Sequence, residues 1–140
     1  MLRFAGHESF PFRYSWLKKG YDLIKDDNTF FFRKDALTVL GVGKNMVRSI
    51  RHWLDVLGLA EQAGKGRGRK VPIQPTRFAD RLLADSGFDP YLEDDGSLWI
   101  LHSRLATNRE SATTWYWVFN HPHGATIRRT RVLSELIALA

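Results

Sequence analysis

The strongest periodic signal in the chain runs from Lys44 to about Leu57. At roughly 100° per residue, Met46, Val47, Ile50, Trp53, Leu54 and Leu57 fall in one arc. Lys44, Asn45, Arg48, Ser49, Arg51, His52 and Asp55 fill the opposite arc. One side reads as core and the other as an exposed, basic and amide-bearing face. Upstream, Trp16, Leu17, Tyr21 and Leu23-Ile24 recur near helical spacing between Arg13 and about Lys25. Gly20 should weaken that helix by roughly 1 kcal/mol relative to alanine. Asp26-Asp27-Asn28 is a break, and a short helix is predicted from Lys34 to Leu40 with Ala36, Leu37 and Leu40 inward. Gly41-Val42-Gly43 then forms the turn into the long helix, since glycine ends a helix at positive φ without strain.

After Gly58, two strands are predicted, Leu59 to Gln62 and Val71 to Thr76, joined by Ala63 to Lys70 with its three glycines and four cations. Pro72 and Pro75 confine the return strand to an edge. Arg77 to Ala84 and Ser97 to Ala106 read as helices. Ala112 to Phe119 leaves helix and strand in competition, and Thr130 to Ala140 is a final apolar helix with no visible partner after it. Trp99, Trp115, Tyr116 and Trp117, with Leu and Val neighbours, are expected in the core; the alternative is a stacking platform for unpaired bases.

The fold class expected is mainly α with a small β-hairpin: a winged helix-turn-helix followed by additional helices. It divides into an N-terminal aromatic segment and helix (1–33), the winged helix-turn-helix (34–87), and a helical extension packed on the same core (88–140).

Composition narrows the function classes. With 140 residues, 44% hydrophobic and 26% charged, the chain suits one globular domain. It has no cysteine, which excludes disulfides, thiolate catalysis and cysteine zinc sites and fits a cytoplasmic setting. No stretch nears the roughly 18 apolar residues of a membrane span, and Met1-Leu2-Arg3-Phe4 lacks a signal-peptide run. The net charge of +6 suits a phosphate-bearing partner only if its cations are placed together.

They are. The long helix would present Lys44, Asn45, Arg48, Ser49, Arg51 and His52 to double-stranded DNA. The wing would add Lys65, Arg67, Arg69 and Lys70. Arginine pairs bidentately with guanine and asparagine with adenine, and both also serve as phosphate contacts. The plainer reading of each feature is a solvated basic face and a solvated hairpin. Gly41-Val42-Gly43-Lys44-Asn45 is no phosphate loop: one residue separates the glycines, and Asn45 stands where a magnesium-holding Ser or Thr belongs.

His7, Glu8 and Arg13 are weak catalytic candidates, since a histidine beside a carboxylate suits general-base or metal chemistry and an arginine a phosphoryl transition state. The plainer alternative has His7 capping local backbone and Glu8 paired with Arg13. His102, His121 and His123 lack an acidic partner at metal-ligand spacing, and Glu93-Asp94-Asp95-Gly96 lacks the ligands of a calcium loop and reads as an acidic helix start. No resident metal or other cofactor is expected, apart from a divalent metal if the protein is a nickase.

The segments Phe4-Ala5-Gly6-His7-Glu8-Ser9-Phe10-Pro11-Phe12-Arg13, Trp16-Leu17-Lys18-Lys19-Gly20 and Leu40-Gly41-Val42-Gly43-Lys44-Asn45-Met46-Val47 resemble a prokaryotic domain family. So do Leu98-Trp99-Ile100-Leu101-His102 and Thr114-Trp115-Tyr116-Trp117-Val118-Phe119-Asn120. That family, long without an assigned function, occurs in phage-defence neighbourhoods and includes the SspB-type component of single-strand DNA phosphorothioation. The resemblance covers most of the chain to about Asn120 and implies that this is an N-terminal part of a longer protein. It further implies DNA modification in defence, nicking of DNA, and a partner resembling phosphosulfate reductases that transfers sulfur. It carries no catalytic motif that maps onto particular residues here.

Overall fold

The computed structural model describes residues 2–65, 71–121 and 124–139, and these form helices around one small hairpin. Helix α1 spans Ser15–Asp26, and a single 3-10 turn, Phe30–Phe32, leads to the short α2, Ala36–Leu40. Gly41, at φ 66°, closes α2 by donating to the carbonyls of Leu37 and Thr38, and its left-handed conformation costs glycine little. Helix α3, Lys44–Val56, follows. Strands β1 (Ala60–Gln62) and β2 (Ile73–Pro75) pair antiparallel with Glu61 opposite Gln74. Then come α4 (Arg77–Leu83), α5 (Asp95–Thr107), α6 (Thr113–Asn120) and α7 (Arg129–Leu139). The contest over residues 112–119 resolves as helix.

Helix α1 buries Trp16, Leu17, Tyr21 and Ile24 against α3, which buries Val47, Ile50, Trp53 and Leu54. Gly20 lies at their crossing, where a Cβ would come within 2.8 Å of Leu54 Cδ1 and 3.0 Å of Ile50 Cγ2. The residue that weakens the isolated helix is therefore the one that lets the two helices meet. Leu83, Leu92, Leu101, Leu105 and Ala112 extend the same apolar cluster. Thr76 begins α4 by accepting from Ala79 N at 3.2 Å and donating to Gly58 O at 2.8 Å, so one hydroxyl ties hairpin, helix and the end of α3 together. Asp94 starts α5 by accepting from Gly96 N at 2.6 Å, the acidic helix start that the sequence predicts.

Two expectations about burial fail. Leu37 is 39% exposed, because a helix of five residues presents little more than Ala36 and Leu40 to the core. The aromatic set is not core either: Trp99 is 70% exposed, Trp115 is exposed and Tyr116 and Trp117 are half-buried, and the nearby Phe119 is exposed as well. Helix α5 turns Leu101 and Leu105 inward and α6 buries only Thr113, so the rings gather on the far side of that helix pair. There Trp115 lies parallel to Phe119 at 5.8 Å, with His102 edge-on to Phe119 at 4.6 Å. Helix α7 rests on α6, partly through Trp117 Nε1 donating to Glu135 at 2.9 Å.

Gly20→Ala should lower stability by about 1 kcal/mol, because overpacking at the crossing, about 1–3 kcal/mol, outweighs the roughly 1 kcal/mol gained in helix propensity. Denaturant unfolding tests it; an increase in stability would show that Leu54 swings aside freely.

Candidate nucleic-acid interface

Helix α3 has three neighbours, and they decide which of its polar residues reach solvent. On one flank lies the N-terminal segment, pinned to the start of α6: Arg3 N donates to Glu110 O at 2.8 Å, Thr113 N to Arg3 O at 3.1 Å, and Thr114 Oγ1 to Phe4 O at 3.1 Å. From there residues 3–8 run along α3. Arg3 Nη1 donates to Asp55 Oδ2 at 2.7 Å, and Glu8 Oε1 stands 3.8 Å from Arg48 Nη1. Gly6 abuts His52 so closely that a Cβ would fall 2.5 Å from Nδ1. His7 stacks on Trp53, with centroids 6.1 Å apart and planes 12° from parallel. The segment turns away through Glu8 and Ser9, at φ 50° and 66°. This left-handed geometry costs a non-glycine residue roughly 1–2 kcal/mol, offset here by Ser9 N donating to His7 Nδ1 at 3.1 Å and Phe10 N to His7 O at 2.8 Å.

On the other flank lies the hairpin, held by Arg51. Its Nη2 donates to Val71 O at 2.8 Å, and its guanidinium lies 5.1 Å from the Phe32 ring centroid. Its Nη1 is shielded from solvent and has no hydrogen-bond partner among the described residues. Burial pushes the Arg51 pKa below the usual guanidinium value, with Asp55 opposing that shift.

The sequence-predicted contacts therefore separate. Lys44 and Asn45 are exposed at the first turn of α3, and Lys65 is exposed on the hairpin. Arg48 is part-exposed and leans toward Glu8. Arg51 and His52 are largely committed to the hairpin and the N-terminal segment. Ser49 is a correction: it is 0% exposed, enclosed with Val56 on a side of α3 that the wheel assigns to solvent. Asn108 Nδ2, donating to Val56 O at 2.9 Å, closes that side from the α5–α6 connection. The wing cations Arg67, Arg69 and Lys70 lie outside the described residues.

Of the catalytic candidates His7 and Glu8 lie against α3, whereas Arg13 sits on Trp16 of α1. His7 accepts a local backbone N–H, as the plainer reading has it, yet Glu8 faces Arg48 rather than Arg13, whose guanidinium lies 4.9 Å from the Trp16 ring centroid. Among the described residues no group of three or more His, Asp or Glu is placed to hold a metal ion.

Between the two flanks runs a cleft of about 350 Å³, floored by Arg48 and Arg51. Arg3, Ala5 and Glu8 form one wall and Glu61, Gln62 and Val71 the other. Sequence reasoning misses the wall residues Arg3, Ala5 and Gln62, because nothing local marks them and only tertiary packing brings them beside α3.

The family described as "Protein of unknown function (DUF4007)" matches residues 4–140. Two solved structures are similar throughout this chain. "Magnesium ion-bound SspB crystal structure" matches at a TM-score of 0.88 and 34% identity, covering 97% of this chain and 41% of that one. "SspB crystal structure" matches at 0.87 and 33%, covering 98% and 42%. The chain thus spans about two-fifths of the length of those proteins. No curated protein matches.

Burial, and after it the positive charges of Arg3 and His7, hold His52 down to about 4, from an ordinary value of 6.5. The unfolded ring takes a proton near pH 6.5 and the folded ring only near 4, so acidification across that window favours the unfolded chain. Above it His52 imposes no such penalty. His52→Gln should therefore lose less stability than the parent between pH 6.5 and 4 in denaturant titrations; parallel losses would show that the ring is open to solvent.

Proposed function

The chain belongs to the DUF4007 family, and we propose that it is a DNA-binding module of a phage-defence protein linked to DNA phosphorothioation. In this reading α2, α3 and the hairpin act as a winged helix-turn-helix. The observation that carries it is the first turn of α3, where Lys44 and Asn45 stand exposed beside the partly open Arg48. Backbone N–H groups at a helix start and the positive end of its dipole favour a phosphate there, and the two side chains add a cation and an amide. The similarity to SspB structures supports the defence setting.

The contact differs from the one that the helical wheel suggests. The middle of α3 is walled by residues 3–8 and by the hairpin, so duplex DNA meets the N-terminal end of the helix and the hairpin. His7, Glu8 and Arg13 are engaged with Trp53, Arg48 and Trp16. The reading is one of binding, and no cleavage step is assigned to these side chains.

A second reading, docking of a phosphosulfate-reductase-like sulfur-transfer enzyme, draws on the exposed face of Trp99, Trp115 and Phe119. Trp99→Ala should then abolish co-purification with such an enzyme while DNA affinity is unchanged; retention of the complex would sink this reading.

Affinity for short duplexes should fall steeply with salt, each phosphate contact contributing about 0.9 to the slope of log K against log salt. Lys44→Ala should weaken binding and reduce that slope by about one, whereas Arg81→Ala on α4, outside the cleft, should change neither. Equal losses from both substitutions would place the contact elsewhere. Binding weaker than about millimolar at low salt, below ordinary non-specific affinity, would end the DNA reading.

A further inference from the structure

The cleft over the middle of α3 has a shape and a chemistry that duplex binding does not use. A helix enters the major groove, about 12 Å wide, only if it protrudes. Here the central turns of α3 form a floor between two walls, so the rim of a duplex cannot descend to Arg51. A single nucleotide can. The cleft measures about 350 Å³, at the small end of the roughly 300–1,000 Å³ of small-molecule sites. Its groups sort by the parts of a nucleotide. Arg48 and Arg51 offer cationic donors to a phosphate; Glu8, Glu61 and Gln62 offer polar groups to base edges; Ala5 and Val71 offer apolar contact to ring faces and sugar.

The charges on the floor are unequally satisfied. Asp55 is held by Arg3 at 2.7 Å, and Glu8 approaches Arg48 only to 3.8 Å. Arg51 makes no ion pair among the described residues; its Nη2 is taken by Val71 O and its Nη1 is shielded from solvent, so it lends the floor of the cleft positive charge. Arg48, part-exposed and only loosely paired with Glu8, can turn its guanidinium to a phosphate oxygen, the acceptor that this group fits best, with the charge of Arg51 beneath it. One wall residue, Glu8, also has a left-handed backbone, at φ 50°, a strain of the kind that concentrates where ligands are clamped.

We propose that this cleft receives one unpaired deoxynucleotide of a bound DNA strand, its phosphate on Arg48 and Arg51 and its base between the N-terminal segment and the hairpin. The proposal rests on the DNA-binding reading and deepens it. Duplex is engaged at the exposed end of α3, and a nucleotide that is already unpaired, or extruded at the expense of a few kcal/mol of stacking and pairing, drops into the cleft behind.

The test uses the full chain with three probes: a short paired duplex, the same duplex with one bulged nucleotide, and free deoxyadenosine monophosphate. The bulged duplex should bind at least about ten-fold tighter than the paired one. Ala5→Trp and Gln62→Trp, each at an exposed position on an opposite wall, should remove that preference by filling the cleft, and Ala5→Trp, away from the hairpin, should leave paired-duplex affinity as it is. Thermal unfolding confirms that each variant folds. Equal affinity for paired and bulged duplexes, or a preference that survives both tryptophans, overturns the proposal and leaves duplex binding intact. Saturation by the free nucleotide at micromolar concentration would reassign the cleft to a small molecule and also overturns it. Failure to bind any DNA removes the underlying reading, and the proposal with it.

Discussion

Everything in this molecule is arranged around the requirement that α3 be packed on three sides at once. Its apolar arc meets α1 across Gly20, where Ile50 and Leu54 approach closely enough to exclude a side chain. Its Val56 side is closed by the α5–α6 connection, its Arg48, His52 and Asp55 positions meet the N-terminal segment, and its Arg51 side is bolted to the hairpin through Val71 O. A typical amphipathic helix has one buried stripe and a broad solvated face. Here solvent keeps only the first turn and the strip that ends at Asp55.

That constraint converts a sequence feature into a topographic one. The basic residues of α3 look equivalent on a wheel, yet they meet different conditions. Lys44 and Asn45 project, Arg48 leans into a loose pair with Glu8, Arg51 is largely enclosed, and His52 is held neutral against Gly6. Half-buried guanidinium groups with incomplete partners are costly in a purely structural role and useful in recognition, which is the physical basis for reading the cleft as a binding site.

The C-terminal helices follow a looser rule. Leu101, Leu105 and Ala112 join the core, but α6 buries only Thr113 and α7 only Val132. The helix pair is thin, so large rings that would lie inside a thicker layer lie outside it. There Trp99 and Phe119 meet His102 edge to face and Trp115 lies parallel to Phe119. The distinction between core aromatic and surface aromatic depends on how many layers cover a helix, and neighbouring residue types do not encode that.

The helices other than α6, the turn at Gly41 and the short hairpin were legible from local patterns, since a 3.6-residue period, a positive-φ glycine and paired strand signals act over a few residues. The exposed ends of the candidate site, Lys44, Asn45 and Lys65, were legible for the same reason. The burial of Ser49, the Glu8–Arg48 approach, the outward aromatic face and the wall residues Arg3 and Gln62 were not. Each depends on segments far apart in the chain: Arg3 meets Asp55 and Thr113 because the N-terminal segment threads between α6 and α3. By itself the sequence determined that this chain builds helices with a cationic face. The tertiary structure decided which part of that face remains open, because solvent exposure is settled by what else packs against a helix and not by its own periodicity.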